Sequence, residues 1–382
     1  MTQSWNPFRR IFSPIQPIPE GMYHYQSPAD DPRNYRLHLR VEKGSTGILI
    51  INAATILHLN QTATEYAYYL IQNEPIDMVA QRMGSRYHVS VEQAKTDYID
   101  LSERIQLLLN TPDLDPVTFL DFELQKPFSG NLSAPYRIDC ALTYTLPPGT
   151  PKDDAPIERA IHELNTNEWM TILDKTWEAG IPQVVFTGGE ATLRDDLPDL
   201  IAYAEKNGQI SGLITDGLKL ADNSYLKRLL DTGLDHVMIL LEPDNNNSWQ
   251  SLENALKEDL SVAVHMTLMR ENQDRASKTL EQLSKIGVKQ LSLSIGDPAL
   301  SATLQVTREK AASQNLDLVW NLPVPYSSMN PIALEMDEIL EGAGNAWLYV
   351  EPDGDVLVNQ GATKVLGNLL HDPWEKIWKS NH

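Results

Sequence analysis

Two rhythms of apolar and polar positions divide the chain. From Tyr35 the run YRLHLRVEKGSTGILIINAATILHL alternates with period two around a Lys-Gly-Ser-Thr-Gly turn, which predicts two paired strands. The second strand leads into NQTATEYAYYLIQ, where Asn60 or Thr62 caps a helix with Tyr66, Tyr69 and Leu70 on its apolar face. Two further amphipathic helices follow, over 76–83 and 91–109, with SRYHVS between them. A hairpin plus three helices reads as a small winged-helix-like α+β domain over 35–110. Residues 1–34, rich in proline and aromatics (Trp5, Phe8, Phe12, Tyr23, Tyr25), read as an arm lying on something else. TPDLDP at 111–116 opens a linker over 111–135.

From Tyr136 the pattern changes and holds to about residue 325. Strand-length apolar runs alternate with helical ones in six βα units, from YRIDCALTYT to KQLSLSIG with a helix near 302–314, and LDLVWN adds a further strand. Continuous apolar strands separated by helices predict a parallel sheet covered by helices, and Gly180, Gly208, Gly233 and Gly287 fall where helices must end. Uniform units without a switch point favour a full or partial barrel over a doubly wound sheet, with ligands at the carboxyl ends of the strands. Residues 326–382 form an extension: WLYVEPDGDVLV is a hairpin by its Pro-Asp-Gly turn, and DPWEKIWKSN is a helix. Asp372 caps that helix, Pro373 fills its first turn, and Trp374 with Trp378 makes an i, i+4 anchor. Leu366, Leu369 and Leu370 supply apolar packing to the extension.

Charge narrows the function classes. With 52 acidic against 31 basic residues the net charge is −21, a field that repels nucleic acid. No apolar run approaches the roughly 18 residues of a membrane span, and proline and arginine break up MTQSWNPFRRIFSPIQPIPE, so a cytoplasmic protein away from membranes is expected. One cysteine, Cys140, forbids an internal disulfide and an all-cysteine metal site. The nine histidines show no metal-binding spacing.

The densest chemistry lies in VVFTGGEATLRDDLP. Gly188, Gly189 and Glu190 stand at the carboxyl end of the second barrel strand, where glycines let a ligand reach the backbone and a carboxylate accepts bonds from an ammonium group. The same residues also suit a tight βα turn with Glu190 capping the next helix. Thr215-Asp216-Gly217 opens the next turn, with Asp216 either a ribose or substrate contact or a helix cap. Asp153, Asp154, Glu190 and Asp216 converge on a divalent ion or form a solvated acidic loop. His265 is a general base facing the lumen or a satisfied core histidine.

VVFTGGEATLRDDLPDLIAYAEKNG followed by GLITDGLKL resembles the second and third βα units of radical S-adenosylmethionine enzymes. LYVEPDGDVLVNQGATKVLGNLLHDPWEKIW resembles the SPASM-type extension of their peptide-maturing branch, and 35–109 resembles the PqqD-like module that binds leader peptides. The resemblance implies a partial (βα)6 barrel over 136–325 and a peptide partner for 35–110. It implies S-adenosylmethionine held by Gly188, Gly189 and Glu190 at its amino group and by Arg270 at its carboxylate.

It also implies an iron–sulfur cluster, and there the chain departs. Leu146, Thr150 and Asp153 stand at the three places of Cys-x3-Cys-x2-Cys, Cys140 comes six residues too early, and Val358 and Asn359 stand where relatives carry an auxiliary-cluster ligand. Leucine cannot ligate iron, and threonine and aspartate offer only hard oxygen donors. The expectation is a peptide-binding scaffold or regulator without radical catalysis that retains the S-adenosylmethionine contacts. The alternatives are a cluster-free transferase or hydrolase at the barrel mouth and a pure interaction module.

Overall fold

The computed structural model describes residues 17–28, 30–111, 132–160, 162–335 and 340–381. They fall into two compact units, Met1–Ser129 and Gly130–His382.

In the first unit β1 (Gly21–Gln26), β2 (Arg36–Val41), β3 (Gly47–Ile51) and β4 (Thr55–Leu59) form an antiparallel sheet in that order. Three helices follow, α1 (Gln61–Ile71), α2 (Ile76–Tyr87) and α3 (Val91–Asn110). Leu37, Leu39, Leu49 and Leu57 from the strands pack with Tyr66, Val79, Met83 and Ile105 from the helices. Asn60 is the cap of α1, its side chain accepting the Ala63 N–H at 2.9 Å.

Two expectations need correction. The arm read over 1–34 contributes β1, which pairs along its whole length with β2 and sets Tyr23 edge-on to Tyr68 at 4.8 Å. The long second strand is two strands, because Asn52 and Ala53 adopt positive φ (51° and 55°) and reverse the chain. Asn52 Oδ1 accepts the Arg36 N–H at 2.8 Å, which holds the turn without a glycine to announce it. Most of the linker read over 111–135 lies outside the described residues.

The second unit alternates strands and helices: β5 (Arg137–Thr143), α4 (Thr166–Glu178), β6 (Gln183–Gly188), α5 (Leu197–Asn207), β7 (Ile210–Thr215), α6 (Asn223–Asp231) and β8 (His236–Leu240). Then come α7 (Asn246–Ala255), β9 (Ser261–Leu268), α8 (Ala276–Ile286), β10 (Gln290–Ile295), α9 (Ser301–Ser313) and the two-residue β11 (Asp317–Leu318). Strands β5 to β11 lie parallel in sequence order with no reversal, the arrangement of a partial barrel. Period-two alternation sorts the side chains. Cys140, Val184, Phe186, Leu213, Val237 and Val264 join the main core with the helices, whereas Val185, Ile214, Met238, Leu240 and Ala263 gather in a separate cluster on the opposite, concave face. Gly208 and Gly287 close α5 and α8 in the left-handed conformation, as expected for helix-ending glycines.

The extension adds β12 (Trp347–Val350) beside β5 in parallel, then β13 (Asp355–Leu357) and β14 (Gly367–Asn368) antiparallel, and α10 (Trp374–Asn381). Trp374 and Trp378 stack at 5.6 Å, and their indole N–H groups donate to Ser133 O and Leu132 O on the approach to β5. Ile377 between them is fully buried. Among the described residues no helix is long and apolar enough to cross a membrane.

Candidate functional site

Gly188 and Gly189 are where the backbone of β6 runs against the segment that leaves β5. The Gly189 N–H donates to Thr143 O at 2.8 Å and the Glu190 N–H to Thr145 O at 2.9 Å. A Cβ on Gly188, whose φ is 131°, would lie 2.2 Å from Thr143 O, and one on Gly189 would lie 2.5 Å from Thr145 O and 3.1 Å from a methyl of Leu146. Both glycines are therefore required by close approach of backbone to backbone. The Gly188 carbonyl points to another part of the chain and accepts the Tyr326 N–H at 2.9 Å.

Glu190 is 3% exposed and its carboxylate accepts four bonds. Oε1 takes the Thr192 N–H, the Thr192 hydroxyl and the Thr215 hydroxyl, and Oε2 takes the Asp216 N–H at 2.8 Å. These are about as many as a carboxylate can accept. The Asp216 carboxyl caps the following turn through Leu218 N–H. Burial first, and then the charge of Glu190, pushes its pKa up to about 8, so this pair of acids retains a proton near neutrality. Glu190 and Asp216 thus act as caps and form one hydrogen-bonded joint between the mouths of β6 and β7.

The loop after β5 packs as an apolar and aromatic plug. Tyr144, Tyr326 and Tyr349 are buried with Ala155, Ala160 and Leu357, and Leu146 leans on them. The Tyr144 and Tyr326 rings meet edge to face at 5.4 Å. Tyr144 donates its hydroxyl to Glu351 at 3.1 Å, Tyr326 donates to Glu335, and Arg159 grips Glu335 through two bonds. Burial raises the pKa values of Tyr144, Tyr326 and Tyr349, so all three stay neutral. Glu163 Oε1 accepts Thr143 Oγ1 and Tyr144 N, and Arg194 donates to Leu142 O and Leu164 O while holding Asp196. None of Tyr144, Glu163, Arg194, Tyr326 and Glu351 stood out in the sequence, because their partners lie far along the chain.

An iron–sulfur cluster does not fit these donors. Leu146 is part of the plug, Thr150 closes a turn onto Pro147 O, and Asp153 sits in an exposed 3-10 turn. Cys140 faces the helices, wholly buried, and burial raises its thiol pKa well above the usual value. Among the described residues no group of three His, Cys, Asp or Glu is placed to hold a metal ion. The oxygen site considered for Asp153, Asp154, Glu190 and Asp216 is therefore not formed, and Asp154 instead accepts the Ser328 hydroxyl. In the extension Val358 packs on the main core, and Asn359 is buried with its Nδ2 on Gln360 O.

The remaining candidates are also engaged. Arg270 follows β9 and is spent on Asp297, with Nε to Oδ2 at 2.6 Å. His265 is 2% exposed and sits in a cradle of hydroxyls, Nδ1 to Ser292 at 2.9 Å and Nε2 to Ser294 at 3.0 Å, with burial pulling its pKa down to about 4. It is the satisfied histidine of the two readings. The Gly188 carbonyl, the Glu190 carboxylate and the Arg270 guanidinium all have partners within the chain, which S-adenosylmethionine would have to replace to be held by them. A cavity of about 720 Å³ remains open beside them at the mouths of β8 and β9, between Glu242–Asn247 and Met269–Arg275 and bounded by Met329.

No family model matches the chain. It is 30% identical over 172 residues to a PqqA peptide cyclase of Granulibacter bethesdensis, a match covering 41% of this chain and 46% of that protein, less than half its length. It is 26% identical over 279 residues to a PqqA peptide cyclase of Streptomyces rochei, covering 65% and 76%. Among solved structures, SuiB of Streptococcus suis bound to its precursor peptide SuiA superposes with a TM-score of 0.57 at 14% identity, over 93% of this chain and 88% of that one. SuiB bound to S-adenosylmethionine gives 0.56 at 14% identity, over 90% and 86%.

Proposed function

We propose, on the premise that this chain belongs by homology and fold with the radical S-adenosylmethionine peptide maturases, that it acts as a peptide-binding scaffold or regulator without radical catalysis. The observation that carries this reading is the edge position of β4, among the described residues, beside a groove. Among the described residues strand β4 pairs with β3 and ends the sheet, and the groove, about 350 Å³, runs between His58–Leu59, the first turn of α1 and the α3 residues Asp97, Asp100, Leu101 and Arg104. An extended peptide that adds to β4 gains main-chain hydrogen bonds from the edge and side-chain contacts from the groove. The SuiB complex with SuiA gives a precedent for peptide binding on a chain of this fold. The barrel mouth beside β5 is filled by Leu146 and its tyrosine partners, which argues against cluster chemistry there. Gly188, Gly189, Glu190, Asp216 and Arg270 are the residues that would meet S-adenosylmethionine if those internal partners gave way.

The test is selection of a random peptide library displayed on phage against the immobilised full chain, followed by anisotropy titration of the enriched sequences. Related sequences should emerge and lose affinity when Thr62→Trp fills the groove, while Glu190→Gln leaves them bound. Failure to converge on any sequence, or binding indifferent to Thr62→Trp, refutes the reading.

A further inference from the structure

The segment from Val319 to Tyr326 crosses the concave face of the barrel. It leaves β11 at one edge of the sheet, and Val319, Leu322 and Val324 lie against Val185, Ile214, Met238, Leu240 and Ala263. Near the opposite edge Arg137 of β5 donates to Asn321 O at 2.6 Å, and the Gln360 and Asn330 amides donate to Val324 O at 2.9 and 2.8 Å. The segment ends with Tyr326, 2% exposed, its N–H on Gly188 O and its ring against Tyr144. Pro323 and Pro325 carry no N–H, so side chains reaching in from other elements hold much of this stretch by its carbonyls.

We infer that Val319–Tyr326 is an internal ligand of the barrel, and that it and S-adenosylmethionine exclude one another. This rests on the reading of Gly188–Glu190 as the S-adenosylmethionine amino-group site. The chemistry of exchange is matched: a backbone N–H donor on Gly188 O gives way to an ammonium N–H donor. A ligand entering from the concave side meets Val319, Leu322 and Val324 already lying on the apolar floor and Tyr326 already on the Gly188 carbonyl, so it has to displace the segment to reach both. The segment has no helix or strand of its own between β11 and Tyr326, and Val319, Leu322 and Val324 are only partly buried, whereas Pro323, Pro325 and Tyr326 are buried. The open cavity bounded by Met329, three residues beyond Tyr326, gives it space to move into. Release would uncover the apolar floor of Val185, Ile214, Met238 and Leu240, a surface able to take the adenosyl body.

The test uses the full chain and S-adenosylmethionine itself. Calorimetric titration compares the native protein with a Leu322→Ser/Val324→Ser variant, in which the side chains that pack the segment on Val185, Ile214, Met238, Leu240 and Ala263 are replaced. Hydrogen exchange read by mass spectrometry follows the amides of Trp320, Asn321, Leu322, Val324 and Tyr326 in the same samples. Loosening the segment should tighten binding by about tenfold or more, because the free protein then spends more time in the competent state. Saturating S-adenosylmethionine should speed exchange across those amides in the native chain. Binding of equal affinity in both proteins, with these amides still protected, overturns the inference and leaves the Gly188–Glu190 reading standing. No binding to either protein, with the variant's segment shown by exchange to be loosened, overturns both.

Discussion

Glu190 Oε2 accepts the backbone N–H of Asp216 at 2.8 Å, which ties the mouths of β6 and β7 and brings two carboxyl groups together in a largely buried position. The arrangement has a pH signature. The folded pKa of Asp216 is raised to about 8, against 3.8 for the free side chain. The native state therefore holds the proton more tightly than the unfolded chain, and stability falls as pH rises from about 4 to about 8. Asp216→Asn keeps an acceptor for Leu218 N–H and offers a neutral amide to Glu190. Its unfolding temperature should exceed that of the native protein at pH 8 and approach it at pH 4, measured by scanning fluorimetry across that range.

Removing the charge from the other partner has the opposite effect. Glutamine at position 190 turns two lone pairs into donors that face Thr192, Thr215 or the Asp216 N–H. Glu190→Gln should cost on the order of 2–3 kcal/mol, read from urea unfolding at pH 7. A cost near zero would mean that the joint does not form.

The two glycines tolerate no side chain. At Gly188 a methyl group meets Thr143 O at 2.2 Å in a backbone region that disfavours other residues. Gly188→Ala should destabilise the barrel by about 3 kcal/mol, combining steric and backbone strain. Gly287→Ala, with left-handed φ but nothing within 4 Å of the added carbon, should cost about 1 kcal/mol. Paired unfolding curves separate the two.

Histidines give the complementary limb of the pH profile. His265 in its hydroxyl cradle is buried and His236, packed on Gly212, is half-buried, and burial lowers both pKa values to about 4. Their neutral forms stabilise the fold above about pH 6.5, and that contribution is lost as pH falls towards 4. Each contributes on the order of 2–3 kcal/mol over that window. His265→Gln should flatten the acid limb, and NMR titration should find the His265 imidazole neutral at pH 5.5.

Much of the architecture was written in local pattern. The period-two runs of β6 and β9 and the helix-ending Gly208 and Gly287 depend on neighbours a few residues away, so each could be read in place. Cys140 was placed inside a strand for the same reason. The turn at Asn52–Ala53 was not legible, since it uses a left-handed pair without glycine and is held by a bond to Arg36, sixteen residues earlier. Strand β1 escaped because it is defined by a partner strand and not by its own alternation.

At the site, Gly188, Gly189 and Glu190 could be located as a strand mouth, but their partners could not. Thr143 and Tyr326 reach Gly188 and Gly189 from 45 residues before and 138 residues after the first glycine, so neither leaves a mark in the local pattern. The plug of Tyr144, Tyr326 and Tyr349 has the same origin, three strand or loop tyrosines that only the folded barrel brings together.

Anaerobic reconstitution of the full chain with iron and sulfide, followed by iron analysis and a dithionite-driven assay for 5′-deoxyadenosine release from S-adenosylmethionine, addresses the central claim most directly. A barrel mouth filled by Leu146 and its tyrosine partners should retain no stoichiometric iron and release no 5′-deoxyadenosine. About four irons per chain, as a cubane cluster requires, together with reductive cleavage of S-adenosylmethionine, would contradict it.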